Sequence, residues 1–261
     1  MSTGANLQET YFISPIGKGC KFQLLDDSTS VTPDPGLQFK IVIVGDSGCG
    51  KTSLFTSFIR GYFPTEYEPT IFENSRTFLK NETTGEVLTA DLWDTAGQED
   101  YERLRRLSYQ DSNLIILAYS LNARESLLNI PEVWAPEILS YCENTPILLV
   151  GLKADIPEHN VDPFDAVKVA NSINAVAHIQ CSAKEMFNVS RVFDTCFSVV
   201  YNNYKKQQKV SKRFSKPASG HFRTPSKPKV TTPVKAKYEN PIHEEEPYVE
   251  HYEKSHCCVI C

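Results

Sequence analysis

The sequence predicts an α/β protein: a mostly parallel sheet with helices on both faces. Short unbroken apolar runs recur along the chain, at Ile41 to Val44, Leu114 to Tyr119 and Ile147 to Val150, as expected of strands buried on both faces. Stretches with apolar residues at helical spacing lie between them, and strands that alternate with helices form a parallel sheet covered on both sides. The first run ends in a glycine-rich turn, Gly45-Asp46-Ser47-Gly48-Cys49-Gly50-Lys51-Thr52, followed by Ser53 and a helical pattern.

Taken in order, residues 1–36 have scattered apolar residues, no sustained period and a Pro-Asp-Pro-Gly ending, so a disordered extension is expected. Phe12, Ile13 and Phe22 are its candidate docking residues. A single domain is expected over 37–204. After the glycine-rich turn, Leu54, Phe55, Phe58 and Ile59 fall on one helix face and Gly61 stops that helix. Tyr62 to Thr70, with two prolines, reads as a loop. Ser75 to Lys80 and Val87 to Trp93 form a hairpin through Asn81 to Gly85. A helical pattern from Arg124 to Tyr141 is interrupted by Pro131 and Pro136, which predicts a kink or two pieces. A shorter helix over Asp162 to Ile173, a strand over Ala177 to Cys181 and a last helix carrying Val192, Phe193, Cys196, Phe197 and Val200 on one face complete the domain.

Residues 205–261 read as a flexible tail. The net charge of −5 hides a segregation, because Lys205 to Lys237 contains no acid while acids dominate from Glu239 to Glu253. No apolar run of 18 residues occurs, so no membrane span is expected, and Ser2 stands where N-myristoylation needs glycine. The eight cysteines show no disulfide or zinc spacing; Cys49, Cys142, Cys181 and Cys196, within apolar or loop patterns, are expected to be reduced thiols, and Cys257, Cys258 and Cys261 are read separately below.

The turn after the first strand matches G-x-x-x-x-G-K-[ST] in full. Glycines let backbone N–H groups converge on phosphate oxygens, and the helix that follows adds the positive end of its dipole. Lys51 can reach β- and γ-phosphates, and the Thr52 hydroxyl can ligate Mg²⁺.

Further motifs follow in a fixed order: Thr70 in the two-proline loop, Asp94-Thr95-Ala96-Gly97-Gln98, Leu152-Lys153-Ala154-Asp155 and Cys181-Ser182-Ala183-Lys184. With the phosphate loop they resemble a Ras-type small GTPase. Within that superfamily, Tyr67-Glu68-Pro69-Thr70-Ile71-Phe72-Glu73-Asn74, the stretch Leu92 to Arg105 and the terminal cysteine box are similar to the Rho family, most of all its fungal members. The resemblance spans roughly Gln38 to Tyr204. It implies a six-stranded, mostly parallel sheet with one antiparallel edge strand, and a switch cycling between GTP and GDP with Mg²⁺.

The resemblance also assigns roles. Asp155 accepts from the two donors on the guanine edge, which fits guanine and opposes adenine. Lys153 lies along the base, with Ser182, Ala183 and Lys184 in the loop beside it, where the Ala183 N–H donates to the guanine oxygen. Leu152 stands where the family has Asn or Thr, so one polar tie to the phosphate loop is missing. Thr70 and Gly97 sense the γ-phosphate, Thr70 as an Mg²⁺ ligand, while Asp94 holds the Mg²⁺ shell through water. Phe63 packs near the base and Tyr67 covers the phosphates. The segments Phe63 to Asn74 and Gly97 to Ser108 are two loops that hydrolysis releases. Gln98 orients the attacking water.

Three departures shape the expectation. Ser47 replaces the glycine usual in Rho proteins, and its side chain points toward Gln98 and the space an activating arginine enters. A slow, activator-dependent GTPase is therefore expected, against the alternative of a largely GTP-locked scaffold. The chain between Asp155 and Cys181 is too short for the extra helix most Rho proteins carry. Cys258-Val259-Ile260-Cys261 is a prenylation box at Cys258, with Cys257 available for acylation. Exchange factors, activating proteins, a dissociation inhibitor and effectors are the implied partners of a monomer that binds no nucleic acid. Its implied place is the cytoplasmic face of the plasma membrane, with a cytosolic pool, and its implied outputs are cell polarity, actin and cell-wall or septum organisation. A metabolic phosphate-loop kinase is opposed by Asp155 and by the lack of a second substrate domain.

Overall fold

The computed structural model describes residues 10–12, 19–26, 32–65 and 72–214. Two short strands, β1 (Thr10–Phe12) and β2 (Phe22–Leu25), precede the first long one, β3 (Gln38–Gly45), which a tight turn joins to α1 (Lys51–Arg60). The hairpin is β4 (Phe72–Asn81) and β5 (Val87–Thr95), followed by a 3₁₀ turn, Glu99–Tyr101, and α2 (Glu102–Tyr109). Next come β6 (Leu114–Ser120), α3 (Arg124–Asn129), a π-helical turn over Ile130–Trp134 and α4 (Ala135–Tyr141). The remainder is β7 (Ile147–Leu152), α5 (Pro163–Ser172), β8 (Ala177–Gln180) and α6 (Val189–Phe214).

The strands form one sheet in the order β1-β8-β7-β6-β3-β5-β4-β2. β3 runs parallel to β5 and β6, β6 to β7, and β7 to β8. Successive side chains of β3 enter opposite cores, which is why its apolar run is unbroken. Ile41 and Ile43 pack with Leu54 and Phe55 of α1 and Phe193 and Phe197 of α6. Val42 and Val44 pack with Leu127, Trp134 and Ile138 on the other face. The expected α/β architecture is thus present, with its six strands as β3 to β8.

The lead departs from expectation. Within 1–36, β2 pairs antiparallel with β4, Phe22 opposite Asn81, and β1 pairs antiparallel with β8, Thr10 opposite Ile179. Among the described residues the sheet therefore has eight strands rather than six, and β4 is not a bare edge. A four-residue strand has little stability alone; anchoring on α6 supplies the rest. The Phe22 ring meets Phe197 edge-on at 5.7 Å, its N–H donates to Asp194 Oδ1 at 3.0 Å, and the Cys20 N–H donates to Ser198 Oγ at 2.8 Å. Cys20, Phe22 and Leu24 face the core while Lys21 and Gln23 are exposed, an alternation too short to read as a period. Phe22→Ala is expected to lower stability by about 2 kcal/mol, below the usual cost for a fully buried ring because Phe22 is only partly covered. Chemical denaturation of the wild type and the variant measures it.

Other boundaries also move. The tail was expected from 205, but α6 continues to Phe214, because Tyr201 and Lys205 are held to Glu86 of the hairpin by hydrogen bonds. The segment 97–108 is not a loop throughout, since the 3₁₀ turn and α2 occupy most of it. Phe72, Glu73 and Asn74 already belong to β4 and pair with Thr95, Asp94 and Trp93. The π turn resolves the two-proline pattern into two helices. Residues 153–162 contain no helix, as the short spacing predicts. No helix among the described residues is long and apolar enough to cross a membrane.

Candidate functional site

The motifs converge because parallel strands deliver their carboxyl ends to one side of the sheet, where open α/β folds form their crevices. β3 ends in Gly45, β5 in Asp94 and Thr95, and β7 in Leu152 just before Lys153. Gly45 has φ 143°, and a Cβ there would lie 2.1 Å from the Ala118 carbonyl oxygen, so only glycine fits the turn. Cys49 points the other way: its side chain is buried in the core and burial pushes its thiol pKa up. Only its backbone is offered to a ligand.

α1 begins at Lys51 without a side-chain cap. Its first N–H groups and dipole therefore face the crevice, an arrangement suited to anions. The Lys51 side chain is buried and curls back over the turn, where Nζ donates at 2.9 Å to the carbonyls of both Gly45 and Asp46. An ammonium has three N–H donors, so one remains for a phosphate oxygen.

Asp94 is 4% exposed, and neither of its carboxylate oxygens completes a hydrogen bond of normal geometry. Burial raises its pKa to about 6, with Glu73 adding repulsion, while the neighbouring Thr52 hydroxyl and Lys51 favour the ionised form. A buried carboxyl so placed beside Thr52 fits a divalent cation, which supplies the charge compensation that burial withholds. Among the described residues no group of three or more His, Cys, Asp or Glu is placed to hold a metal ion. Asp94 and Thr52 would leave most of such an ion's coordination to phosphates and water.

On the base side, Lys153 adopts φ 63°, a left-handed conformation that turns the chain out of β7. A Cβ placed on Gly50 would meet Leu152 Cδ1 at 3.7 Å and Lys153 Cε at 3.8 Å, so both side chains pack on the phosphate loop. Leu152 is 1% exposed and belongs to the core, so its contact with the loop is apolar. Asp155 Oδ1 accepts from Ser182 Oγ at 2.7 Å, and Ser182 Oγ in turn accepts from the Glu185 N–H at 3.0 Å. The Ala183 carbonyl accepts from Ser57 Oγ of α1 at 3.3 Å, tying this loop to the phosphate-loop helix. Lys184 is exposed beside it.

The Gln98 loop meets the phosphate loop at Gly97. A Cβ there would lie 2.3 Å from the Ser47 amide nitrogen and 2.4 Å from the Gly45 carbonyl oxygen, so only glycine allows this approach. Ser47, Gly48 and Gln98 are exposed at this junction. Phe63 stands half-exposed past the end of α1. Tyr67, Glu68, Pro69, Thr70 and Ile71 lie outside the described residues, as does Cys258. Four residues that sequence reasoning did not single out gather beneath this junction. Asn129 and Trp134 donate to Asp46, while Arg105 bonds both Glu137 and the Gln98 loop.

With this geometry, residues 40–202 match the model of the Ras family. The chain belongs to that family. Its relatives narrow the branch to Rho. The chain is 43% identical over 174 residues to "GTP-binding protein RHO4" of Saccharomyces cerevisiae, covering 65% of this chain and 60% of that one. It is 39% identical over 215 residues to "GTP-binding protein rhoC" of Emericella nidulans, covering 75% and 76%. With "GTP-binding protein RHO1" of Eremothecium gossypii it shares 41% identity over 198 residues, covering 70% and 95%. This Rho-family chain brings its phosphate loop, Asp94 to Gln98, Lys153 to Asp155 and Ser182 to Lys184 to one side of the sheet.

Proposed function

We propose that this chain is a Rho-type molecular switch that binds GTP and GDP and hydrolyses GTP slowly. The observation that carries the reading is Asp155, held through Oδ1 by Ser182, on the same side of the sheet as Lys51 and the uncapped start of α1. The relatives named as GTP-binding proteins support it. Gly45 to Ser53 bind the phosphates, Lys153, Asp155 and the Ser182-Ala183-Lys184 loop bind the base, and Phe63 and Tyr67 flank the nucleotide. Mg²⁺, when bound, neutralises charge on the β- and γ-phosphates; Thr52 and Thr70 would ligate it, and Asp94 would hold its water.

Gln98 orients a water for in-line attack on the γ-phosphorus. The bond from that phosphorus to the β–γ bridging oxygen breaks, giving GDP and inorganic phosphate. The contacts of Thr70 and Gly97 exist only with GTP, so hydrolysis frees the segment through Asn74 and the one around Gln98. Effectors then lose the surface formed by residues 67–74. Exchange factors, activating proteins and a dissociation inhibitor are the partners such a cycle needs. Prenylation at Cys258, helped by the basic run from Lys205 to Lys237, places the switch on the inner face of the plasma membrane. Its outputs there are polarity, actin and cell-wall or septum organisation.

Ser47 tests the catalytic part. Its side chain is exposed where the Gln98 loop meets the phosphate loop. Crowding of the transition state but not the ground state changes only the chemical step. Ser47→Gly is therefore expected to leave GTP affinity nearly unchanged and to raise activator-stimulated hydrolysis by about tenfold or more. Gln98→Leu should abolish hydrolysis in either background. Single-turnover assays with a Rho-type activating domain decide it, and equal responses of wild type and Ser47→Gly would remove Ser47 from the account. A wild type that retains GTP through repeated addition of activator would instead favour the locked scaffold.

A further inference from the structure

The Asp46 carboxylate does not face the phosphate crevice. Oδ1 accepts from Trp134 Nε1 at 2.7 Å and Oδ2 accepts from Asn129 Nδ2 at 2.8 Å. Both donors depend on the π turn between α3 and α4, where Pro131 brings no N–H and the Ala135 N–H bonds back to the Ile130 carbonyl, five residues away. A π turn aligns residues five apart, as 129 and 134 are. The irregularity aims two side chains at the phosphate loop where a regular helix would aim one.

The other side of the indole is also occupied. The Arg105 guanidinium lies 4.7 Å from the Trp134 ring centroid and Arg105 is 4% exposed. Its Nη1 donates to the Ala96 carbonyl at 3.1 Å and to the Gln98 carbonyl at 3.2 Å. Nε and Nη2 bind the two oxygens of Glu137 at 2.9 and 3.0 Å, and the Tyr109 hydroxyl donates to the same carboxylate at 2.6 Å. Burial opposes ionisation of Glu137, but the bonds from Arg105 and Tyr109 outweigh it and keep its carboxyl below the ordinary range. Arg105 is thereby fixed on α4 and fixes the backbone on both sides of Gly97.

We propose that Trp134 is a positioning residue for GTP hydrolysis: its N–H anchors the phosphate loop at Asp46 and its ring carries the arginine that anchors Gln98. The two loops meet at Ser47 and Gly97, so the indole sets the register between the phosphates and the residue that aims the water. A displacement of about an ångström at such a junction costs up to 10²-fold in rate. Ground-state binding uses many other contacts and changes little. The inference rests on the hydrolytic reading of the site.

The experiment compares full-length wild type, Trp134→Phe, Arg105→Lys and the double variant. Trp134→Phe keeps an aromatic ring in the core and deletes the donor. Three quantities are measured: single-turnover GTP hydrolysis, release of a fluorescent GDP, and the thermal midpoint. Trp134→Phe is expected to slow hydrolysis by about tenfold while changing GDP release by less than about threefold. Arg105→Lys should also slow hydrolysis, because an ammonium cannot span Glu137 and two carbonyls. The double variant should lose much less than the product of the two, as residues of one clamp do. Wild-type hydrolysis by Trp134→Phe, a parallel fall in all three quantities, or multiplicative single effects would each overturn the clamp. A wild type that binds GTP and never hydrolyses it would defeat the enzymatic reading itself, an outcome distinct from those three.

Discussion

Lys51→Ala is expected to weaken GTP and GDP binding by about 10³-fold. The side chain does two things at once. Two of its donors fasten the phosphate loop to itself through the Gly45 and Asp46 carbonyls, which leaves the third available for a phosphate oxygen. Truncation removes a desolvated charge from the anion site and leaves two carbonyls of the turn without a donor. The loss falls on phosphate recognition, so it should weaken GTP and GDP together and leave the guanine preference intact. Thr52→Asn acts differently, by changing the cation ligand beside Asp94, and is expected to penalise GTP more than GDP. Titration with fluorescent nucleotides, after circular dichroism has confirmed folding, measures both. Unchanged affinity in both variants would take the phosphate loop out of the account.

The second large effect is a change of base. Asp155 offers acceptors only, and its orientation is set by the 2.7 Å bond from Ser182 Oγ. Guanine presents two donors to it, whereas adenine lacks that pair. In Asp155→Asn one acceptor becomes a donor, which clashes with guanine and matches the carbonyl that xanthine has in place of the amine. GTP affinity should fall by about 10³-fold and xanthosine triphosphate should become the tighter ligand, since unpaired polar groups in such a pocket are heavily penalised. ATP should gain nothing. Competition against a fluorescent nucleotide reads all three. A variant that keeps its preference for GTP would mean that guanine is recognised elsewhere.

Much of this was legible in the residues, for physical reasons. β3, β6 and β7 are buried on both faces, so their runs are continuous and stand out. The glycine-rich turn is constrained at every position by backbone approach, as Gly45 against Ala118 illustrates. Asp162 caps α5 through the Phe164 N–H, and Gly61 ends α1 in the left-handed region, both as their residue types suggest. What stayed hidden depended on tertiary partners. Phe22 joins the sheet only because α6 offers Phe197, Asp194 and Ser198, which lie more than 170 positions along the chain. The Asp46 clamp needs a π turn and an arginine from another helix, and neither Trp134 nor Arg105 differs locally from an ordinary helical residue. The end of α6 was missed because its basic composition resembles a solvated tail, while its bonds to Glu86 are long-range.

The central claim is that one crevice reads guanine through Asp155 and phosphates through Lys51. Its most direct test is equilibrium competition on the purified wild-type chain with Mg²⁺ present, using GTP, GDP and ATP against a fluorescent GDP. GTP and GDP are predicted to displace the probe at stoichiometric concentrations and ATP to fail even in about 10³-fold excess. Displacement by ATP and GTP at equal concentrations would contradict the account.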